Sequence, residues 1–228
     1  MNKSPFKTNS QCLQDFFVFQ LFQGRKGFFL DLGAGNGGQK HIEHSFMSNT
    51  YALEMEANWD GICIDFDNDW CKKAALARKA KIVYADLMKE NINEVLDNLD
   101  CPLIVDYLSL DVDDATEKVL DELDFNKRKF KVITFEHNLF QALSTSDQEH
   151  SLEHKQEVLR FYDKSRKLFK SNGYTIVVGN VIQDGFGPFE DWYFESSFLN
   201  CSVKEITTSS EYVKSNELLN WLGVKSAF

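Results

Sequence analysis

Phe28-Phe29-Leu30-Asp31-Leu32-Gly33-Ala34-Gly35-Asn36-Gly37-Gly38 is the stretch on which the reading of this chain turns. An apolar run from Phe28 to Leu32 carries a single acid, Asp31, and runs directly into glycines. Such a run, bounded by glycine, reads as a buried parallel strand that ends in a tight turn. Glycines at alternate positions allow positive φ and let a ligand approach the backbone without a Cβ in the way. In an open α/β sheet that turn lies at the carboxyl end of the first strand, where ligands bind. The stretch therefore predicts a nucleotide-type cofactor over the loop.

Two frames fit the glycines. Gly33-x-Gly35-x-x-Gly38 satisfies the dinucleotide pattern. Asp31-x-Gly33-x-Gly35-x-Gly37 instead resembles the first motif of the Rossmann-like S-adenosylmethionine (SAM) methyltransferases. Asp31 separates the two. A negative charge at this place repels a pyrophosphate and attracts the cationic amino group of a methionine moiety. An acid on an apolar strand also costs desolvation unless something uses it. SAM is thus the expected cofactor, with Asp31, Gly33, Gly35 and Asn36 as its contacts on this loop.

The 228 residues suffice for one α/β domain with a substantial core. A hydrophobic content of 43% marks a globular chain. The net charge of −10 and a pI near 5.0 argue against a nucleic-acid partner, which calls for a basic face. The five cysteines, Cys12, Cys63, Cys71, Cys101 and Cys201, have neither CxxC nor zinc spacing and read as reduced thiols of a cytoplasmic protein. No run has the length of a membrane span, and no signal-peptide core is present.

Along the chain, Ser10 to Phe22 predicts an amphipathic packing helix capped by Ser10, so that residues 1–26 precede a Rossmann-like domain over 27–228. Strands are expected at Phe28–Leu32, Ile62–Asp65, Lys81–Tyr84, Leu103–Leu110, Phe130–Phe135 and Gly173–Val178, with a further one at Ser202–Thr207. Helices are expected between them, including a long one ending near Ser171, and a short helix at the end. This alternation predicts an α/β fold, a mostly parallel twisted sheet of about seven strands with helices on both faces.

The early strands each deliver an acid at the carboxyl end: Asp31, Asp65, Asp86, Asp111 and Glu136. Asp65 is placed to take both ribose hydroxyls. It lies thirty positions past Gly35, farther than the dinucleotide fingerprint prefers. Asp86, closing the third strand, is placed to accept from an adenine amino group.

With these residues in order, the chain resembles the FkbM-type methyltransferases over about Ser10 to Trp192. The resemblance rests on Ser10-Gln11-x-x-Gln14-Asp15, on Gly27 to Gly33, on Asn49-Thr50 to Leu53-Glu54, and on Trp59-x-Gly61-Ile62-x-Ile64. It continues through Ala85-Asp86, Asp106 to Asp111, Thr134-x-Glu136-His137-Asn138, Gly173-Tyr174 and Glu190-Asp191-Trp192. It implies a SAM-dependent O-methyltransferase acting on a sugar hydroxyl of a nucleotide-activated sugar or glycan precursor. It implies cofactor contacts at Gly33, Gly35, Asp65 and Asp86, with Glu54 as one more. The family commonly continues Asp-x-Glu-Gly after the fourth strand; here the sequence is Asp111-Val112-Asp113-Asp114.

Methyl transfer from a sulfonium needs an acceptor oxygen held in line and a destination for its proton. His137 and Asp111 are the expected catalytic groups. A divalent ion (Mg, Mn or Fe) is expected between Asp111 and Asp113 on one loop and Glu136 and His137 on the next, since mixed oxygen and imidazole donors suit those ions. His150 and His154 have i,i+4 spacing in a polar stretch and read mainly as solvated. Trp192 and Tyr193 read as core, with an aromatic wall for a sugar as the alternative. The partner is a small sugar or nucleotide-sugar substrate; the oligomeric state is left open, with a homodimer as one alternative. The competing functions are a nicotinamide-dependent oxidoreductase and a non-catalytic binding module. A Tyr-x-x-x-Lys pair, which the former calls for, is not recognisable.

Overall fold

The computed structural model describes residues 6–35, 47–144, 150–182, 187–195, 197 and 213–214. Asn36 and the expected strand and helix beyond Ser202 lie outside these. The chain forms two compact units, Met1–Lys131 and Val132–Phe228.

The first unit holds α1 (Gln14–Leu21), β1 (Phe28–Leu32), α2 (Tyr51–Ala57), β2 (Asp60–Asp65), α3 (Asn68–Ala77), β3 (Lys81–Tyr84), α4 (Ile92–Asn98), β4 (Ile104–Leu110) and α5 (Thr116–Glu122). Its strands lie in the order β3-β2-β1-β4, all parallel. Phe29, Leu30, Leu32, Ile64, Tyr107 and Leu108 are fully buried, as unbroken apolar runs of a central parallel strand should be. Helix starts follow local chemistry. The Asp67 carboxylate accepts from the N–H groups of Asp69 and Trp70 at the head of α3, and the Asn91 amide oxygen does the same for α4.

The helix α1 departs from expectation. It starts at Gln14, after Leu13 in the left-handed region, and Ser10 does not cap it. The cause is Asp15, fully buried, whose carboxylate gathers the N–H groups of Asn9, Ser10 and Phe16 and the hydroxyls of Thr8 and Ser10. Those bonds hold residues 8–10 turned against the first turn of the helix, which begins only at Gln14.

The strand β5 (Lys129–Glu136) opens in the first unit and continues in the second, which also holds α6 (Leu139–Leu143), α7 (Leu152–Ser171), β6 (Tyr174–Ile182), β7 (Pro188–Glu195) and β8 (Val213–Lys214). There β7 pairs antiparallel with both β5 and β6, and β8 runs parallel to β6. The helix α6 and the strand β7 were not foreseen. In β7 the residues from Pro188 to Tyr193 are all buried, so no polar alternation marks it as a strand. Trp192 and Tyr193 are core residues of this unit, and the aromatic-wall reading falls. The architecture is otherwise the expected mostly parallel α/β sheet with helices.

Candidate functional site

At the end of β1 the chain turns under tight constraint. Gly33 has φ +80°, and a Cβ on it would stand 1.5 Å from the Asp111 carbonyl oxygen. No L-residue fits that space, so glycine here is a steric requirement. The turn is tied to both neighbouring strands. The N–H groups of Gly33 and Ala34 donate to the Ile64 carbonyl, and the Asp111 N–H donates to the Leu32 carbonyl.

Asp65 ends β2 and faces this turn. Its Oδ2 accepts from the Gly35 N–H at 2.7 Å and its Oδ1 from the Asp67 N–H at 2.7 Å. A Cβ on Gly35 would meet Oδ2 at 2.6 Å, so this glycine too is bound to its neighbour. Burial raises the Asp65 pKa. The two N–H bonds pull it back, and the nearby charges of Asp67 and Asp113 push it up again. Each carboxylate oxygen has two lone pairs, so both retain acceptor capacity beyond the backbone bond. Next to it, Phe66 is 63% exposed, an unusual cost for a phenyl ring on a strand end. It passed unremarked in the sequence because a lone Phe has no pattern.

Asp31 points elsewhere. It is 2% exposed, and its Oδ2 accepts from the Thr50 hydroxyl at 2.6 Å. Burial raises its pKa, while Thr50, the Arg78 charge and Ser109 oppose that rise. Arg78, 6% exposed, forms the hub of this buried group. Its Nη2 donates to Thr50 Oγ1 at 2.9 Å, its Nη1 to Ser48 Oγ at 3.3 Å, and its Nε to Glu54 Oε2 at 2.8 Å. Burial works against the Arg78 charge, but the surrounding anionic groups, Asp31 and Glu54 among them, outweigh it and raise its pKa. Glu54 Oε1 takes the N–H groups of Lys79 and Ala80, and its side chain has no exposed surface. Glu54 thus sits inside the protein with its carboxylate engaged by Arg78 and backbone. Asn49 donates from Nδ2 to Ser109 Oγ at 3.1 Å, while its Oδ1 is buried with no hydrogen-bond partner among the described residues.

Asp86 lies at the end of β3 as expected. Its carboxylate accepts from Lys89 Nζ at 2.6 Å and from the Met88 N–H, and the Lys89 bond lowers its pKa. Asp111 is half-buried and Asp113 exposed; Asp113 has φ +47° and opens a single 3-10 turn, Asp113–Ala115.

Glu136 and His137 belong to the second unit. Glu136 is half-buried, in register with Glu190. His137 was expected at the ligand edge of the sheet; its side chain is wholly buried. Its Nδ1 accepts from the Leu139 N–H at 3.2 Å, which leaves the proton on Nε2. Nε2 faces Asp191 Oδ1 at 3.4 Å, too far for a good hydrogen bond. Asp191 is the centre there. It accepts from Arg166 Nε and Nη2, both at 2.7 Å, from the Asn180 N–H at 2.8 Å and from the Tyr193 hydroxyl at 3.0 Å. Burial alone would raise its pKa; His137 and Arg166 reverse this and hold the carboxyl well below the usual range. This cluster was missed because its members lie just after β5 and on α7, β6 and β7, far apart in sequence. His150 and His154 stack at 4.8 Å, and His154 Nε2 lies 2.8 Å from Gln141 Oε1.

Among the described residues no three His, Cys, Asp or Glu side chains are grouped to hold a metal ion. The imidazole of His137, with one nitrogen accepting an N–H and the other facing a carboxylate, is not arranged as a ligand. His137, so engaged, is not free to serve the expected metal set.

No family model matches the sequence, and no curated protein matches it. Solved structures do. A protein described as a caffeoyl-CoA O-methyltransferase from Staphylococcus aureus superposes with a TM-score of 0.54 at 12% identity, over 83% of this chain and 86% of that one. A protein described as an O-methyltransferase from Klebsiella pneumoniae gives 0.49 at 13%, over 80% and 79%. The first likeness shows that the chain shares the Rossmann-like fold of that protein.

Proposed function

We propose that this chain is a SAM-dependent O-methyltransferase acting on a hydroxyl of a small molecule. The observation that carries the reading is the pairing of the Gly33 turn with the Asp65 carboxylate at the neighbouring strand end. The turn exposes backbone where a side chain would stand, and the acid beside it keeps lone pairs for a diol. Asp65 then holds the ribose, with Phe66 as a flat apolar face for the adenine and Asp86 as acceptor for its amino group. The buried Asn49 oxygen, without a partner among the described residues, supplies an acceptor on the side of the cationic methionine end. The methyltransferase fold supports the same assignment.

Bound there, SAM supplies an electrophilic methyl. The protein's task is to align an acceptor oxygen and receive its proton. Asp111 is the group we assign to this, because its backbone packs against the Gly33 turn. The buried His137 is better suited to holding Asp191 and its surroundings in place than to receiving a proton from a substrate. The acceptor class we favour is a sugar, free or nucleotide-linked, from the resemblance to the FkbM-type enzymes.

The test is calorimetry of the full chain with SAM, its demethylated product and NADH, followed by transfer of labelled methyl to a panel of nucleotide sugars, with and without exhaustive chelation. Micromolar SAM binding and labelled sugar are expected. Absence of binding by SAM and its product at millimolar concentration refutes the assignment, and NADH binding in their place selects the oxidoreductase.

A further inference from the structure

The buried charges around Asp31 form a chain that the methyltransferase reading does not by itself require. Asp31 is on β1, two residues before the Gly33 turn. Thr50 leads into α2, and Arg78 follows α3. One hydroxyl joins them: Thr50 Oγ1 donates to Asp31 and accepts from Arg78. A carboxylate that is 2% exposed cannot make much direct contact with a ligand, so its influence is its field. In a buried place that field is little screened. The Arg78 guanidinium reaches Thr50, Ser48 and Glu54 together, a fork that lysine lacks. It also lies 5.8 Å over the rings of both Phe29 and Tyr51, so packing as well as charge fixes its plane. Beside this group the Asn49 amide oxygen is buried and has no hydrogen-bond partner among the described residues, with Ser109 as the partner of its nitrogen. A buried orphan acceptor next to a buried acid is costly unless a donor arrives, and a cationic donor satisfies both.

We propose that Arg78 is a positioning residue for the cofactor: acting through Thr50, it holds Asp31 as a fixed counter-charge for the cationic amino-acid end of SAM. This rests on the SAM reading above and adds the source of discrimination within it. Arg78 neutralises Glu54 and orders the Thr50 hydroxyl, so that the hydroxyl proton points at Asp31. Without Arg78, the Thr50 hydroxyl loses its orienting donor and Asp31 loses a nearby cation. The acid is then more readily protonated, and its pull on the ligand falls.

The experiment compares two ligands. SAM carries the cationic amino-acid end. 5′-Methylthioadenosine carries the same nucleoside and a neutral thioether, with no amino acid. Both are titrated into the wild type, into Arg78→Met combined with Glu54→Gln, and into Thr50→Ala. The double variant removes both buried charges together and leaves an acceptor for the N–H groups of Lys79 and Ala80. Thr50→Ala leaves the Arg78–Glu54 pair intact and serves if the double variant fails to fold. The expected result is a SAM Kd raised about tenfold or more in either variant, with the methylthioadenosine Kd within about twofold of wild type, the size of a lost charge interaction at partly buried separation. Equal weakening of both ligands assigns Arg78 to structure alone and overturns the proposal. Unchanged SAM affinity overturns it as well. If the wild type binds neither ligand, the SAM reading itself is what fails.

Discussion

Replacing Asp65 with Asn keeps the size of the side chain and removes its charge. Both oxygens of Asp65 accept a backbone N–H at 2.7 Å, from Gly35 and from Asp67. An amide offers one oxygen, so one of those N–H groups must face an NH2. A hydrogen bond to a charged group is worth roughly 1.5–3 kcal/mol. The loss is offset in the empty protein, because the carboxylate is desolvated and lies near the charges of Asp67 and Asp113. Stability should therefore change by no more than about 1 kcal/mol. With a ligand present nothing offsets it, since the ribose hydroxyls donate to the same oxygens. One lost charge-assisted bond predicts a SAM Kd raised about tenfold to a hundredfold. Calorimetry measures the affinity, and urea denaturation with an unchanged m-value checks the fold. Unchanged affinity in a folded variant would falsify the assignment of the ribose to the end of β2. The sign of the pH dependence is also set. The folded-state pKa of Asp65 is raised, so the folded protein binds more protons than the unfolded chain just above the ordinary carboxylate range. This group therefore contributes a stability that falls as pH rises through that window and is regained on acidification. Asp65→Asn should remove that part of the slope.

Two further outcomes follow from the same geometry. Gly33→Ala places a methyl 1.5 Å from the Asp111 carbonyl at a φ of +80°, so the turn must open; expression with a native-like thermal transition and wild-type SAM affinity would show that the turn is not rigid. Asp191→Ala leaves Arg166 and the Asn180 N–H without their main acceptor and should cost about 3 kcal/mol in urea denaturation. Because His137 and Arg166 lower the Asp191 pKa, its contribution to stability is present above the ordinary carboxylate pKa and is lost as pH falls below it, so the variant should lose less stability than wild type between pH 4 and pH 2.

The sequence by itself determined the sheet of the first unit. The run Phe28–Leu32, the glycines after it and the acids closing β2, β3 and β4 are local patterns, and period and turn chemistry read them directly. That Gly33 must be glycine was legible as flexibility. Only the tertiary structure showed that the obstacle is the Asp111 carbonyl, brought alongside by the register of β1 with β4. The same division holds for the acids. Which residues end the strands follows from the chain; where each carboxylate turns does not. Asp65 faces the glycine turn, Asp31 turns inward to Thr50, and Glu54 meets Arg78, 24 positions away. His137 was placed at the ligand edge because it directly follows the fifth strand. It is buried because Tyr162, from α7, and Asp191, from β7, close around it. A buried charge is stable only beside a partner. Such partners come from segments distant in sequence, and packing alone brings them together.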